Sequence, residues 1–246
     1  MTLNEYQDQA GKTAIYPNKG NNLTYPILGL VGELMEAREK LRTENDELEW
    51  SDVCWYTAAV CTELSISLSE IADYCIENLE ATTPQENVKH ALTKGLTPPT
   101  DRNKLMRTVL TDQDVLDIRA LLNIGNISQK ELAEYYDVLP NNISRVFSAN
   151  RGKVPNEKVC KYIDDTILIG IGALAEQAKR IYRDDNQILT EDRKNKLIAE
   201  LAKIFRGVSL ACWYAGYSIT EVMEKNIKKL QSRQERGVLQ GSGDSR

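Results

Sequence analysis

The sequence predicts an all-α protein, a helical bundle made of two diverged repeats around a small inserted module. Three observations carry this expectation. Apolar residues recur at spacings of three and four over most of the chain, which is the period of a helix with one buried face. Aromatic residues make up only 7%, while Leu, Ala, Glu and Lys recur throughout, favouring helix over sheet. Finally, one stretch overlays another without a gap. The 246 residues make one large or two small domains at roughly 150 residues each, enough to bury a core.

The elements follow in order. From Pro26 the apolar positions Ile27, Leu30, Val31, Leu34 and Leu41 mark an amphipathic helix. A polar break at Thr43-Glu44-Asn45-Asp46 precedes a second helix over 47–64, and Ser67 caps a third over 67–79, with Glu70 as its capping-box partner. Short connections between them imply antiparallel packing. Pro and Gly punctuation over 82–100 reads as a linker. A short module occupies 101–155, helical pattern returns over 157–183, 190–214 and 218–236, and the tail reads as loop. The domains expected are therefore 1–81, the 82–100 linker, the 101–155 insert and 156–246.

The repeat is read by laying Glu49 to Ile71 over Glu200 to Val222, which places Val53 on Ile204, Cys61 on Cys212 and Ser67 on Ser218. Upstream, Gly32 to Ala37 matches Gly172 to Gln177. The chain reads as a diverged tandem duplication.

Composition excludes several functions. The net charge of -5 leaves no global basic field for nucleic acid, so any such contact is local. The five cysteines, Cys54, Cys61, Cys75, Cys160 and Cys212, include no C-x-x-C pair and read as reduced core residues of a cytoplasmic protein. The start lacks the pattern of a signal peptide, and no apolar run reaches about 18 residues, so no membrane is expected. His90 is the sole histidine, which speaks against a Ser-His-Asp triad or a His-rich zinc site. Chemistry here falls to carboxylates, lysine, arginine or a metal.

Glu33 and Glu36 are three apart on one expected helix, and Glu49 and Asp52 three apart on the next, so each pair shares a face. Two like charges about 5 Å apart repel by roughly 3 kcal/mol at an effective dielectric of 20. A hard divalent cation removes that cost, and oxygen-only ligands favour Mg²⁺ or Mn²⁺. Asp52 sits in Trp50-Ser51-Asp52-Val53-Cys54-Trp55-Tyr56, where an acid among large apolar residues needs a partner.

Glu33-Leu34-Met35-Glu36 followed by Glu49-Trp50-Ser51-Asp52 resembles the E-x-x-E then E-x-x-D signature of MazG-like nucleotide pyrophosphohydrolases, the all-α NTP pyrophosphatases. The start, Leu3-Asn4-Glu5-Tyr6-Gln7, and the end, Asn226 to Asp244, look like the two ends of small phage and bacterial members; the resemblance covers roughly 1–80 and 165–246. It implies Mg²⁺-dependent hydrolysis of a nucleoside triphosphate to monophosphate and pyrophosphate in nucleotide-pool metabolism. It also implies that Glu33, Glu36, Glu49 and Asp52 form the metal shell and catalytic set, with Gln7, Asn226, Lys229 and Arg233 toward substrate.

The departures from the pattern are complementary. Ala173 stands for Glu33 and Lys203 for Asp52 in the second copy, leaving Glu176 and Glu200; in the first copy Cys75 stands for Asn226 and Asn78 for Lys229. Members of the family commonly assemble with sites shared between subunits, so a fused pseudo-dimer with one composite site is expected, with further self-association left open.

Within the insert, Ser128 can cap one helix and Pro140 begin the next, with Leu132, Ala133, Val138, Ile143 and Val146 placed as a small core. The segment resembles the helix-turn-helix pieces that accompany homing endonucleases and resolvases. Asn141, Asn142, Ser144 and Arg145 then occupy base-reading positions, with Arg151 and Lys153 toward phosphate. Residues 101–158 hold nine basic and eight acidic residues, not a basic patch, so a DNA-binding or regulatory protein on a MazG-like scaffold is the alternative to the enzyme. Gly170-Ile171-Gly172-Ala173-Leu174-Ala175 imitates a dinucleotide fingerprint, but it aligns with the first repeat's helix and no β-α-β alternation follows.

Overall fold

The computed structural model describes residues 1–40, 47–78 and 110–239. The linker expected over 82–100, together with His90, lies outside the described residues. Among these residues the chain is helical without strands: α1 (Leu3–Thr13), α2 (Thr24–Lys40), α3 (Glu47–Glu63), α4 (Leu68–Glu77), α5 (Asp112–Ile124), α6 (Gln129–Tyr135), α7 (Pro140–Ser148), α8 (Glu157–Arg183), α9 (Glu191–Ala215) and α10 (Ile219–Glu235). None of them is long and apolar enough to cross a membrane. The Gly170 to Ala175 segment lies in mid-helix on α8.

Helix starts are set by side chains that satisfy the first free backbone amides. Thr2 with Glu5, Ser67 with Glu70, Thr111 with Asp114, Ser128 with Glu131, and Ser218 with Glu221 all form reciprocal capping boxes. Pro140 occupies the first turn of α7, where its missing N–H costs nothing. α1 is a helix that the apolar spacing alone does not announce; Thr2-x-x-Glu5 is the local signal that does.

The two repeats share a turn as well as a pattern. Between α3 and α4 the Ile66 N–H donates to the Cys61 carbonyl at 3.1 Å, and between α9 and α10 the Tyr217 N–H donates to the Cys212 carbonyl at 2.9 Å. Ser65 and Gly216, which the overlay pairs, both take left-handed backbone, at φ 53 and 94. The serine accepts there a conformation for which glycine is the unstrained choice. Within each repeat the long helices pair, α2 with α3 and α8 with α9, and each last helix then seats on the other repeat, α10 on α3 and α4 on α9. The seating is reciprocal, each repeat's last helix packing on the long helix of the other.

One continuous apolar core runs through both repeats, from Leu34, Trp50 and Val53 to Phe205, Trp213 and Ile227. It also includes Ile118 and Leu121 of α5. The first helix of the expected insert therefore shares the bundle's interior: the Asn123 amide donates to the Ser209 carbonyl at 2.9 Å and the Ser209 hydroxyl donates to the Ala120 carbonyl at 2.8 Å. Beside them Arg119 donates to Tyr214 Oη at 2.7 Å and to the carbonyls of Val146 and Ala149 at 3.2 and 3.0 Å, with its guanidinium 4.6 Å from the Trp213 ring centre. Leu132, Ala133 and Ile143 are buried between α6 and α7, with Val138 and Val146 partly buried against them.

Candidate functional site

α2 and α3 pack with the Tyr56 ring of α3 directly against the backbone of α2. A Cβ at Gly29 would stand 2.0 Å from Cε1 of Tyr56, so the absence of a side chain on α2 is what lets the Tyr56 ring pass. That close approach carries the acids of the two helices together. Carboxylate oxygens of Glu33, Glu36 and Glu49 all lie within 4.8 Å of one another, with Glu49 buried, Glu33 partly buried and Glu36 exposed. Burial, followed by the charges of Asp52, Glu36 and Glu49, pushes the Glu33 carboxyl up to about 7. A carboxyl so shifted reports negative charge held close without full compensation.

Asp52 stands apart from the other three in its bonding. Lys229 Nζ lies 2.7 Å from both of its oxygens, and Asn226 Nδ2 donates to it at 3.2 Å. Asn226 is fully buried; it also donates to Ser51 Oγ at 3.4 Å and accepts from the Tyr6 hydroxyl at 3.0 Å. Helix α10 of the second repeat thus reaches Asp52 through Asn226 and Lys229, and α1 holds Asn226 through Tyr6. Lys40 pairs with Glu49, a contact that sequence reasoning missed although four residues separate it from Glu36 on α2.

A cavity of 350 Å³ opens beside the acids, lined by Glu33, Asp52 and Arg233 together with Tyr16, Tyr25, Trp55 and Tyr56. Tyr16 and Tyr25 stack with ring centres 4.8 Å apart, and Trp55 stands edge-on to both Tyr16 and Tyr56, at 6.4 and 4.8 Å. The segment between α1 and α2 that carries Tyr16 is tied down by one buried acid. Glu63 accepts from the Tyr16 hydroxyl at 2.7 Å, from the Gly20 N–H at 2.8 Å and from the Asn22 N–H at 2.7 Å. Burial and this contact hold the Tyr16 phenol well above its ordinary value.

The remaining expected residues fall elsewhere. Gln7 donates to the Ile66 carbonyl at 2.9 Å and accepts the Leu68 N–H at 2.6 Å, so it satisfies the start of α4, and it does not line the cavity beside the acids. In the second repeat Lys203 neutralises Glu200 at 3.0 Å, and Glu176 accepts from Arg180 at 3.0 Å besides pairing with Lys179. Asn141, Asn142, Ser144 and Arg145 are all exposed on α7. Arg151 approaches Glu221 at 3.8 Å, and Lys153 Nζ lies 3.4 Å from Asn150 Oδ1.

Comparison with known proteins adds one relative. The chain is 37% identical over 75 residues, 30% of its length, to the Gene 37 protein of Mycobacterium phage L5. A phage protein shares part of this sequence. The match spans 66% of that relative, a little under two thirds. No family model matches the chain, and no solved structure matches it.

In chemical terms the site offers three converging hard-oxygen donors and a fourth held within reach by a lysine. Beside them lie a buried arginine and an aromatic-walled space. The donor set fits a small divalent cation that prefers oxygen, and Glu33, Glu36 and Glu49, with Asp52 beside them, are the residues that can hold it.

Proposed function

We propose that the chain is a Mg²⁺-dependent nucleoside triphosphate pyrophosphohydrolase, with Mn²⁺ as an alternative ion, cleaving the triphosphate to monophosphate and pyrophosphate. The observation that carries this reading is the convergence of Glu33, Glu36 and Glu49 from two helices of one repeat, at a cavity that Arg233 from the other repeat also lines. When bound, the divalent ion supplies positive charge against the phosphate oxygens and acidifies water. The chain's own residues do the rest. The carboxylates hold the ion and accept the proton of the attacking water. Arg233, a guanidinium lining the same cavity as Glu33 and Asp52, meets the phosphate chain. Tyr25, Trp55 and Tyr56 present flat apolar surfaces to the base and sugar. Lys229 holds Asp52 in place through both carboxylate oxygens until substrate competes for its ammonium.

The test is pyrophosphate release by the purified chain, with Mg²⁺, over a panel of canonical and modified nucleoside triphosphates. Asp52→Asn is expected to abolish release, and Lys203→Asp to restore nothing in the second repeat, where Ala173 still stands for Glu33. Full activity in Asp52→Asn would end the proposal.

A second reading has its own observation, the exposed row Asn141, Asn142, Ser144 and Arg145 on α7. Duplex DNA is its partner, and affinity is expected to fall steeply as salt rises. DNA binding indifferent to salt, or unchanged in Arg145→Ala, contradicts it.

A further inference from the structure

The repeat overlay pairs α2 with α8 and α3 with α9, and α4 seats on α9 as α10 seats on α3, so the space between α8, α9 and α4 is the counterpart of the acidic cavity formed by α2, α3 and α10. A second cavity is found there, of 1020 Å³, with Asn78, Gln113, Tyr162, Ile169, Lys203 and Arg206 among its walls. Its chemistry differs. Lys203 takes the place of Asp52 and Arg206 that of Trp55, and Ala173 replaces Glu33; Glu77 and Asp165 also line the cavity, and Lys161 pairs with Asp165 at 2.6 Å.

Arg206 is held there with few of its donors used. Its contact with Asp117 is 3.5 Å long, whereas a charge-assisted hydrogen bond is typically about 2.7–2.9 Å. Its buried Nε has no hydrogen-bond partner among the described residues. A guanidinium carries five donors, and an unmet buried one is costly. Lys203 lies one helical turn away on the same face and is half exposed, with Glu200 as its neighbour. Two cations one helical turn apart can share the oxygens of a single phosphate group. Tyr162, Ile169 and the floor of Ala199 and Ala202 leave apolar surface beside them.

We propose that this second cavity is a metal-independent site for a nucleoside monophosphate, with the phosphate on Arg206 and Lys203 and the base against the apolar wall. The anion part stands on the two cations alone; the nucleoside part rests on the functional reading above, of which such a ligand is the product. The phosphate would supply the acceptors that Arg206 lacks.

The experiment is calorimetric titration of the full chain in EDTA with ribo- and deoxyribonucleoside monophosphates and, separately, with inorganic phosphate. Removing metal keeps the outcome independent of whether the chain hydrolyses triphosphates. Saturable binding of at least one monophosphate is expected, weakened about tenfold or more in Arg206→Gln and in Lys203→Ala and unchanged in Glu36→Gln. Lys203 is exposed enough for its removal to leave the fold intact, so Lys203→Ala decides the matter if Arg206→Gln loses helix by circular dichroism. The proposal is overturned if no monophosphate binds, or if binding survives intact in Lys203→Ala. Inorganic phosphate binding as tightly as the nucleotide overturns the nucleoside half of it.

Discussion

Glu33 is the acid of the site whose carboxyl is pushed up, by burial first and by neighbouring carboxylates second, and its titration has a direction. Its folded value of about 7 lies above the ordinary 4.5. The stability tied to its proton is therefore fully present below pH 4.5 and lost as pH rises through 7. In EDTA the urea midpoint is expected to fall across that window, and Glu33→Gln to flatten the fall; a midpoint flat from pH 4.5 to 8 in the parent chain would contradict the crowding of acids. Asp52 and Lys229 form the other decisive pair. Removing the lysine in Lys229→Met leaves a partly buried carboxylate without its cation and is expected to cost about 1–3 kcal/mol. The double variant with Asp52→Asn should recover part of that loss in a thermodynamic cycle. That Asp52 needs a partner is readable from the apolar residues around it; that Asn226 and Lys229 supply it is not, because the sequence places them toward substrate and only the packing of α10 on α3 brings them to Asp52. The pairing of Lys40 with Glu49 has no such signal, because it depends on how α2 and α3 are rotated about their axes.

At the scale of elements, local rules account for most boundaries. α8 spans the residues its apolar spacing marks, and the serines at 67, 128 and 218 open helices because each has an acid three positions on. The segment joining α1 to α2 is different. Tyr16 and Tyr25 are unremarkable in sequence, and their place in the cavity wall comes from Glu63, more than forty residues away, gathering two backbone amides and a phenol. Such long-range contacts leave no periodic trace. Glu63→Gln keeps the shape but gives up charge-assisted bonds, and is expected to raise KM for a nucleoside triphosphate about tenfold with kcat changed less, as loss of positioning does. A fall in kcat alone would place Glu63 in the chemistry instead. Gly29→Ala forces the Tyr56 ring aside and separates α2 from α3; overpacking of this kind typically costs about 1–3 kcal/mol, and thermal unfolding in EDTA is the measurement.

For the whole molecule, the repeat is legible because one stretch overlays another at a single offset, Ser67 and Glu70 on Ser218 and Glu221; the left-handed turn at Ser65 and Gly216 and the crossed seating of the last helices come from the structure, the sequence showing only complementary losses, Cys75 for Asn226 and Ala173 for Glu33. The first helix of the expected insert, α5, turns inward onto α9, since Ile118 and Leu121 are apolar and Arg119 finds acceptors on both sides. Arg119→Met is therefore expected to destabilise the entire chain in one transition rather than release α6 and α7 alone, and coincident melting by circular dichroism and tryptophan emission would show it.

The crossed seating of α10 on α3 and of α4 on α9 has a kinetic corollary. A chamber whose two walls belong to one polypeptide finds its complement at an effective concentration set by tethering rather than by how much protein is in the tube. Specific activity should thus be level upon dilution into the nanomolar range, where an enzyme assembled from separate subunits would fade as its halves part company.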